Sequence, residues 1–208
     1  MRCLHVLAAL LLAITTYASP AWAESAPLTL TVRLYNSVGM SADEIVAARG
    51  IAAPILLETG IDVSFRYCRM FPADTEQYDA CAQSLGPNEV VVRMIDAPEP
   101  VPGASELAFG YSYVVNSTDR GWLATVYVDR IRVAASRVGL ERARLLGMVV
   151  AHEVGHLLLG QEHSETGLMA PQWHDLSLRR LAQGHDAASA FRFTPGQAAA
   201  IQERIVDR

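Results

Sequence analysis

Residues 151–163 read AHEVGHLLLGQEH, a stretch that combines three histidines with two glutamates. If it is helical, side chains four residues apart lie on one face, so His152 and His156 can direct an imidazole nitrogen at the same metal ion. Glu153 lies beside them, where its carboxylate can take a proton from a metal-activated water and pass it to a leaving amine. The stretch therefore predicts a metal site with a built-in base.

The HExxH spacing matches the helical motif of zinc proteases, but the pattern is short and also occurs in helices without metal. Residues 145–151, which read LLGMVVA, are apolar nearly all round and predict a buried helix. Histidines and a glutamate in such a helix need partners. Hydrogen bonds within a core would satisfy them, and so would a zinc ion, which the context favours.

Gly160 follows the three leucines and can end the helix in a left-handed conformation, which turns the chain back toward the metal. His163 comes three residues later and can supply a third nitrogen. Together these residues resemble the metzincin group of zinc peptidases, whose motif HExxHxxGxxH precedes a turn containing methionine. Residues 164–171, SETGLMAP, resemble that turn and would place Met169 as an apolar floor under the histidines, although an ordinary core methionine is the alternative.

The sequence departs from the family pattern by one residue, because three leucines precede Gly160 where the family has two residues. Either the helix runs longer or a bulge absorbs the insertion. In the strict family register the third ligand falls on Glu162, and a carboxylate can ligate zinc. We favour His163 because it keeps its spacing from the glycine, with His174 and His185 as fallback ligands.

Residues 1–23 have the features of a secretory signal peptide, namely Arg2 near the start, an apolar run over 4–14 and the small-x-small site Ala21-Trp22-Ala23. They predict a secreted or periplasmic protein that is free of the membrane once the signal is cleaved. Residues 24–208 have the length of a single domain, which we expect to be monomeric.

Cysteine usage and charge agree with export. Cys3 leaves with the signal peptide, so Cys68 and Cys81 predict one disulfide in an oxidising compartment, which would contribute about 3 kcal/mol. The net charge is −5, and no basic patch argues for nucleic acid as a partner.

Alternating apolar and polar residues, together with short apolar runs, predict five strands. They cover residues 28–34, 61–67, 90–95, 107–115 and 122–133. A helix starts at the capping box of Ser41 and Glu44 and ends before Gly60, with a kink or break predicted from Gly50 and Pro54. Strand, helix and strand in that order predict a parallel crossover.

Further helices are predicted at 140–159, which carries the motif, and after Thr194, which would cap a final helix. The metzincin resemblance implies an α+β, zincin-like fold: a twisted mixed sheet of about five strands, a long active-site helix, a methionine turn and a C-terminal helix. It also implies that an edge strand pairs with an extended peptide, for which residues 107–111 are our candidate. Tyr111 and Tyr113 could line a pocket there, but strand aromatics are more often core, so we leave them out of the site.

The sequence thus predicts a zinc-dependent metalloendopeptidase that acts on peptides or proteins. Zn²⁺ would be held by His152, His156 and His163, with Glu153 as general base and acid. One alternative is a secreted binding module that keeps the zincin fold and a structural zinc without catalysis. Another is a metal-dependent hydrolase that acts on something other than peptides, because the motif defines the metal chemistry better than the substrate. The intact Glu153 argues against the binding module, and the displaced glycine argues for it.

Overall fold

A mixed five-stranded sheet organises the computed structural model, which describes residues 27–68, 81–97, 108–115, 120–184 and 188–207. Its strands are β1 (Thr29–Asn36), β2 (Asp62–Cys68), β3 (Glu89–Ile95), β4 (Gly110–Val115) and β5 (Arg120–Tyr127). They lie side by side in the order β2-β1-β3-β5-β4. All neighbours are parallel except β4, which pairs antiparallel with β5 and forms one edge. The predicted strands are therefore present, and the crossover from β1 to β2 is parallel as expected.

Helices cover one face of this sheet. They are α1 (Ala42–Leu57), α2 (Val128–Val138), α3 (Arg142–Leu159), α4 (Asp175–Ala182) and α5 (Pro195–Val206), with a 3₁₀ turn at Ala188–Phe191. Alternate strand residues such as Leu30, Val32 and Val92 are buried at the junction with the helices. α3 runs beneath β5 and β4 and packs on α1, so it forms the centre of the core. This is the α+β arrangement that the sequence predicted.

The first helix begins as predicted, because the Ser41 hydroxyl accepts from the Glu44 amide in a complete capping box. The predicted break at Gly50 and Pro54 is wrong, since α1 continues through both residues. Proline cannot donate the hydrogen bond to the carbonyl four residues earlier, and its ring crowds that carbonyl. That carbonyl belongs to Gly50, which is exposed, so water can satisfy it.

The prediction that residues 122–133 form one strand is half wrong. β5 ends at Tyr127 and α2 begins at the next residue. The β-branched run through Val126 and Val128 looks like a strand, but the buried residues of α2 recur at helical spacing. They are Val128, Ile131, Ala134, Ala135 and Val138. The short helix α4 was also missed, whereas α5 starts at its Thr194 cap as predicted.

The predicted disulfide between Cys68 and Cys81 is present and ties the end of β2 to the segment before β3. Residues 69–80, which it encloses, lie outside the described residues. Buried Arg33 holds the same segment by donating to the carbonyls of Gln83 and Ser84 and by pairing with Glu89. The signal-peptide prediction also falls outside the described residues. Among the helices that are described, none has the length and apolar character needed to cross a bilayer.

Candidate metal centre and active site

The last two turns of α3 carry the motif. Gly160 ends the helix with φ +100° and ψ −170°, so it has the positive φ that favours glycine but not the left-handed helical conformation that we expected. Its amide donates to the carbonyl of His156 at 2.9 Å, which is an ordinary α-helical bond. α3 therefore continues as a regular helix through the three leucines, with no bulge before Gly160.

Three histidines meet beside the last two turns of this helix, two of them on α3 and the third after its end. His152, His156 and His163 have ligand atoms that all lie within 4.8 Å of one another, and within the described chain they are the set that could hold a metal ion. Nε2 of His156 lies 3.0 Å from Nε2 of His152 and 3.2 Å from Nε2 of His163. Glu162 is exposed and outside this set. Of the fallback ligands, His174 is the N-cap residue of α4 and is not in this set, and His185 lies outside the described residues.

The hydrogen bonds of the other ring nitrogens fix where the protons are. Nδ1 of His152 donates to the carbonyl of Leu168 at 2.7 Å, and Nδ1 of His156 donates to the carbonyl of Gly160 at 2.9 Å. A carbonyl can only accept and a neutral imidazole has one N–H, so both Nε2 atoms carry lone pairs. Lone pairs 3.0 Å apart repel each other, so the short contact between Nε2 of His152 and Nε2 of His156 is not a hydrogen bond.

A cation between the nitrogens would turn this repulsion into attraction. Zinc binds imidazole nitrogen at about 2.0–2.1 Å, which in a tetrahedron separates two ligand nitrogens by about 3.3 Å, close to the spacings found here. Burial lowers the pKa of His152 to about 3, helped by the neighbouring His156 and His163. Burial also lowers the pKa of His156 and of His163. All three rings are thus held in the neutral form that ligates metal, and this donor set fits zinc.

Glu153 points from α3 toward the edge strand rather than into solvent. It is 4 % exposed, and the Ser112 hydroxyl lies 2.7 Å from its Oε2 and 2.9 Å from its backbone carbonyl oxygen. Burial raises the pKa of Glu153 to about 7, against the opposing effect of the Ser112 hydrogen bond. Because a hydroxyl can donate or accept, Ser112 can partner the carboxyl group in either protonation state.

Met169 lies fully buried beneath the motif helix. A Cβ atom on Gly155 would come within 2.5 Å of the Met169 sulfur and 2.8 Å of the Phe193 ring, so the glycine lets the turn pack closely against α3 just before His156. The turn is closed by a hydrogen bond of 3.0 Å from the Ser164 amide to the Met169 carbonyl. Met169 thus lies against the helix that carries His152 and His156, and its role as a floor under the histidines stays a prediction.

Comparisons with known proteins bear on the fold. Neither a protein-family model nor a curated protein sequence matches the chain. The structure is similar to the crystal structure of archaemetzincin from Methanopyrus kandleri, with 17% sequence identity and a TM-score of 0.52 over 87% of this chain and 97% of that chain. The chain has a zincin-like fold. It is also similar to metalloproteinase-II from Bacteroides fragilis, with 16% identity and a TM-score of 0.47 over 86% of this chain and 53% of that chain.

Several groups that support the histidines of this zincin-like fold were not found from the sequence. The Leu168 carbonyl accepts from both His152 and Trp173, whose indole lies edge-on to the His152 ring with centroids 5.6 Å apart. The Gly160 carbonyl accepts a hydrogen bond from Nδ1 of His156. Backbone carbonyls leave no trace in a residue pattern, and Ser112 lies 40 residues before the motif without any motif of its own.

The edge strand next to Glu153 is β4, which begins at Gly110 and so covers only part of the predicted 107–111 segment. Tyr111 and Tyr113 were expected in the core, but they are 52% and 53% exposed. They alternate with Ser112, which faces α3, and therefore lie on the other face of the sheet. Tyr113 packs edge-on against Trp122 with ring centroids 6.0 Å apart.

Proposed function

We propose that the chain is a zinc-dependent metallopeptidase that hydrolyses peptide bonds, with Zn²⁺ held by His152, His156 and His163. The observation that carries the proposal is the convergence of three neutral histidine rings. Two of them, His152 and His156, lie on α3, which also carries the buried carboxyl group of Glu153. When bound, zinc would supply a Lewis acid that polarises a scissile carbonyl and acidifies water.

Glu153 would act as the general base and then the general acid. A group that must take and return a proton near neutral pH works best with a pKa near 7, and burial raises the pKa of Glu153 to about 7 in the metal-free protein. An exposed glutamate would be a much weaker base at this pH.

The ligand set favours catalysis over a purely structural zinc. Structural zinc sites close the coordination sphere with four protein ligands, whereas catalytic sites use three and keep one position for water or substrate. Three ligands come together in the described chain, and His163 is exposed, so the set is reached from solvent. This argues against the binding-module alternative.

The substrate would be an extended peptide or protein segment that pairs with β4. This strand forms an edge of the sheet and carries Ser112 and Gly110 beside Glu153, so a paired peptide would pass the base. Alternate side chains of that peptide would lie on the same face as Tyr111 and Tyr113.

We also propose that residues 1–23 direct export, which leaves 24–208 as a single monomeric domain in the periplasm or outside the cell. The Cys68–Cys81 disulfide is in keeping with that environment.

The test is cleavage of a diverse peptide library by zinc-loaded protein, with products identified by mass spectrometry. Glu153→Gln should keep stoichiometric zinc and lose cleavage by at least about a hundredfold, because it removes the proton acceptor. Glu162→Gln is the matched control, since it changes an exposed glutamate on the other side of the motif and should keep both zinc and cleavage.

Equal cleavage by wild type and Glu153→Gln would contradict the proposed base. Loss of zinc from Glu162→Gln would instead make Glu162 the third ligand. A wild-type protein that binds one zinc and cuts no peptide would favour the binding module.

A further inference from the structure

Two residues of the edge strand surround the carboxyl group of Glu153. Gly110 and Ser112 are two positions apart on β4, so both face α3. The Ser112 hydroxyl lies 2.7 Å from Oε2, while the other oxygen, Oε1, occupies the space in front of Gly110. One strand thus contacts both oxygens of the same carboxyl group.

We propose that Ser112 is a positioning residue that fixes the orientation of the Glu153 carboxyl group, with Gly110 providing the space that this orientation requires. The inference rests on the proposed function for its catalytic meaning. Its geometric content, that β4 determines where the carboxyl group lies, can be tested without any activity.

The Ser112 hydroxyl has no evident use in the core itself. The residue is 6% exposed, and its inward-facing neighbour two positions on is the apolar Val114. A buried hydroxyl is unfavourable unless it is hydrogen-bonded, and here both partners of the hydroxyl belong to Glu153. The Ser112 hydroxyl lies within hydrogen-bond distance of both the backbone carbonyl oxygen and the carboxyl group of Glu153. It therefore restricts rotation of the Glu153 side chain between these two points.

Gly110 is required by space rather than by backbone conformation. It is not among the glycines with positive φ, so its backbone would accept other residues. A Cβ atom there, however, would lie 2.5 Å from Oε1, 2.7 Å from the carboxyl carbon and 2.8 Å from the Thr125 backbone oxygen. Since the β5 backbone cannot yield easily, the Glu153 side chain would have to move.

The decisive variants are Ser112→Ala, which removes the hydroxyl, and Ser112→Thr, which keeps it. Losing one hydrogen bond to a charged group should lower kcat by about ten- to a hundredfold, whereas KM should change less than about twofold. Zinc content should stay at the wild-type level, and Ser112→Thr should recover most of kcat. A serine with a merely structural role would lower the unfolding temperature without this split between kcat and KM.

Ser64→Ala is the matched control. Ser64 lies on β2, the other edge strand, and its hydroxyl is also hydrogen-bonded, at 3.0 Å to Thr31. It should leave kcat unchanged. A wild-type kcat in Ser112→Ala, or an equal fall in Ser64→Ala, would overturn the inference.

Crystal structures of zinc-loaded wild type, Ser112→Ala and Gly110→Ala separate this inference from the proposed function. We expect one orientation of the Glu153 carboxyl group in wild type and a displaced or split one in both variants. An unmoved carboxyl group in both variants would overturn the inference even if the wild type is an active peptidase. If the wild type cuts no peptide, the proposed function fails, and the carboxyl positions alone decide whether β4 orients Glu153.

Discussion

Single residues of the site differ in how far the sequence reveals them. His152, Glu153 and His156 could be predicted because two ligands on the same face of a helix must be about four residues apart, and this spacing is visible in the sequence. The grouping of His163 rather than Glu162 with the other histidines depended on where the helix ends, which the sequence left open. The environment that raises the pKa of Glu153 could not be predicted, since burial against β4 is a property of the fold.

Glu153 should make the stability of the zinc-free protein depend on pH. Its pKa is raised from 4.5 to about 7, so the folded state binds more protons than the unfolded state between these values. The contribution of Glu153 to stability therefore falls as pH rises through this window. Glu153→Gln, which stays neutral, has no such contribution, while the three histidines titrate in both proteins and cancel in the difference. The variant should gain relative stability from pH 4.5 to pH 8, by of order 3 kcal/mol.

Urea unfolding of both zinc-free proteins at several pH values measures this difference. Glu162→Gln again serves as the control, because it makes the same substitution at an exposed position. A stability difference between wild type and Glu153→Gln that stays constant from pH 4.5 to 8 would show that Glu153 is not desolvated as the structure has it.

At the scale of elements, helix caps and the alternation of apolar and polar residues predicted helices and strands correctly. The boundary between two elements within one apolar run was not predicted correctly. α1 and α5 begin at capping boxes whose hydrogen bonds are local and therefore visible in the sequence. The change from β5 to α2 falls inside a run that suits both strand and helix, so only packing on α3 decides it. α3 itself is apolar on all sides and was located by its motif rather than by its periodicity.

Two glycines in helices should respond to alanine in opposite ways. A Cβ atom on Gly147 of α3 would collide with the Ala48 carbonyl oxygen and come within 2.6 Å of the Ile51 side chain, both on α1. Gly147→Ala should therefore separate the two helices and lower the free energy of unfolding by about 1–3 kcal/mol. A Cβ atom on Gly50, inside α1, would meet no atom within 4 Å. Gly50→Ala should therefore raise the free energy of unfolding by about 0.5–1 kcal/mol.

Thermal and urea unfolding of the two variants provide the measurement, and each is the other's control for replacing a helical glycine. If both variants are destabilised, helix propensity does not determine the effect of Gly50→Ala on the free energy of unfolding. A stable Gly147→Ala would mean that α1 and α3 do not pack as closely as found here.

On the scale of the whole molecule, the sequence predicted the α+β class and the parallel pair β1 and β2. The positions of β3 and β4 in the sheet could not be predicted, because strand order depends on which long-range pairings form. That order has a functional consequence. β4 and Glu153 lie at one edge, while β2 and the disulfide lie at the other, with three strands between the edge strands.

Stability and chemistry should therefore separate when the disulfide is removed. The bond spans 13 residues, for which the loop-closure estimate is about 3 kcal/mol. In a domain of this size, a loss of about 3 kcal/mol lowers the unfolding temperature by about 6–12 °C. Replacing both Cys68 and Cys81 by alanine should have this effect while zinc content and the rate of peptide cleavage at 25 °C stay at wild-type levels. Each single variant should lose as much stability as the double variant, because either one breaks the bond. If the double variant loses zinc as well, the two edges of the sheet are coupled and the metal site depends on the integrity of β2.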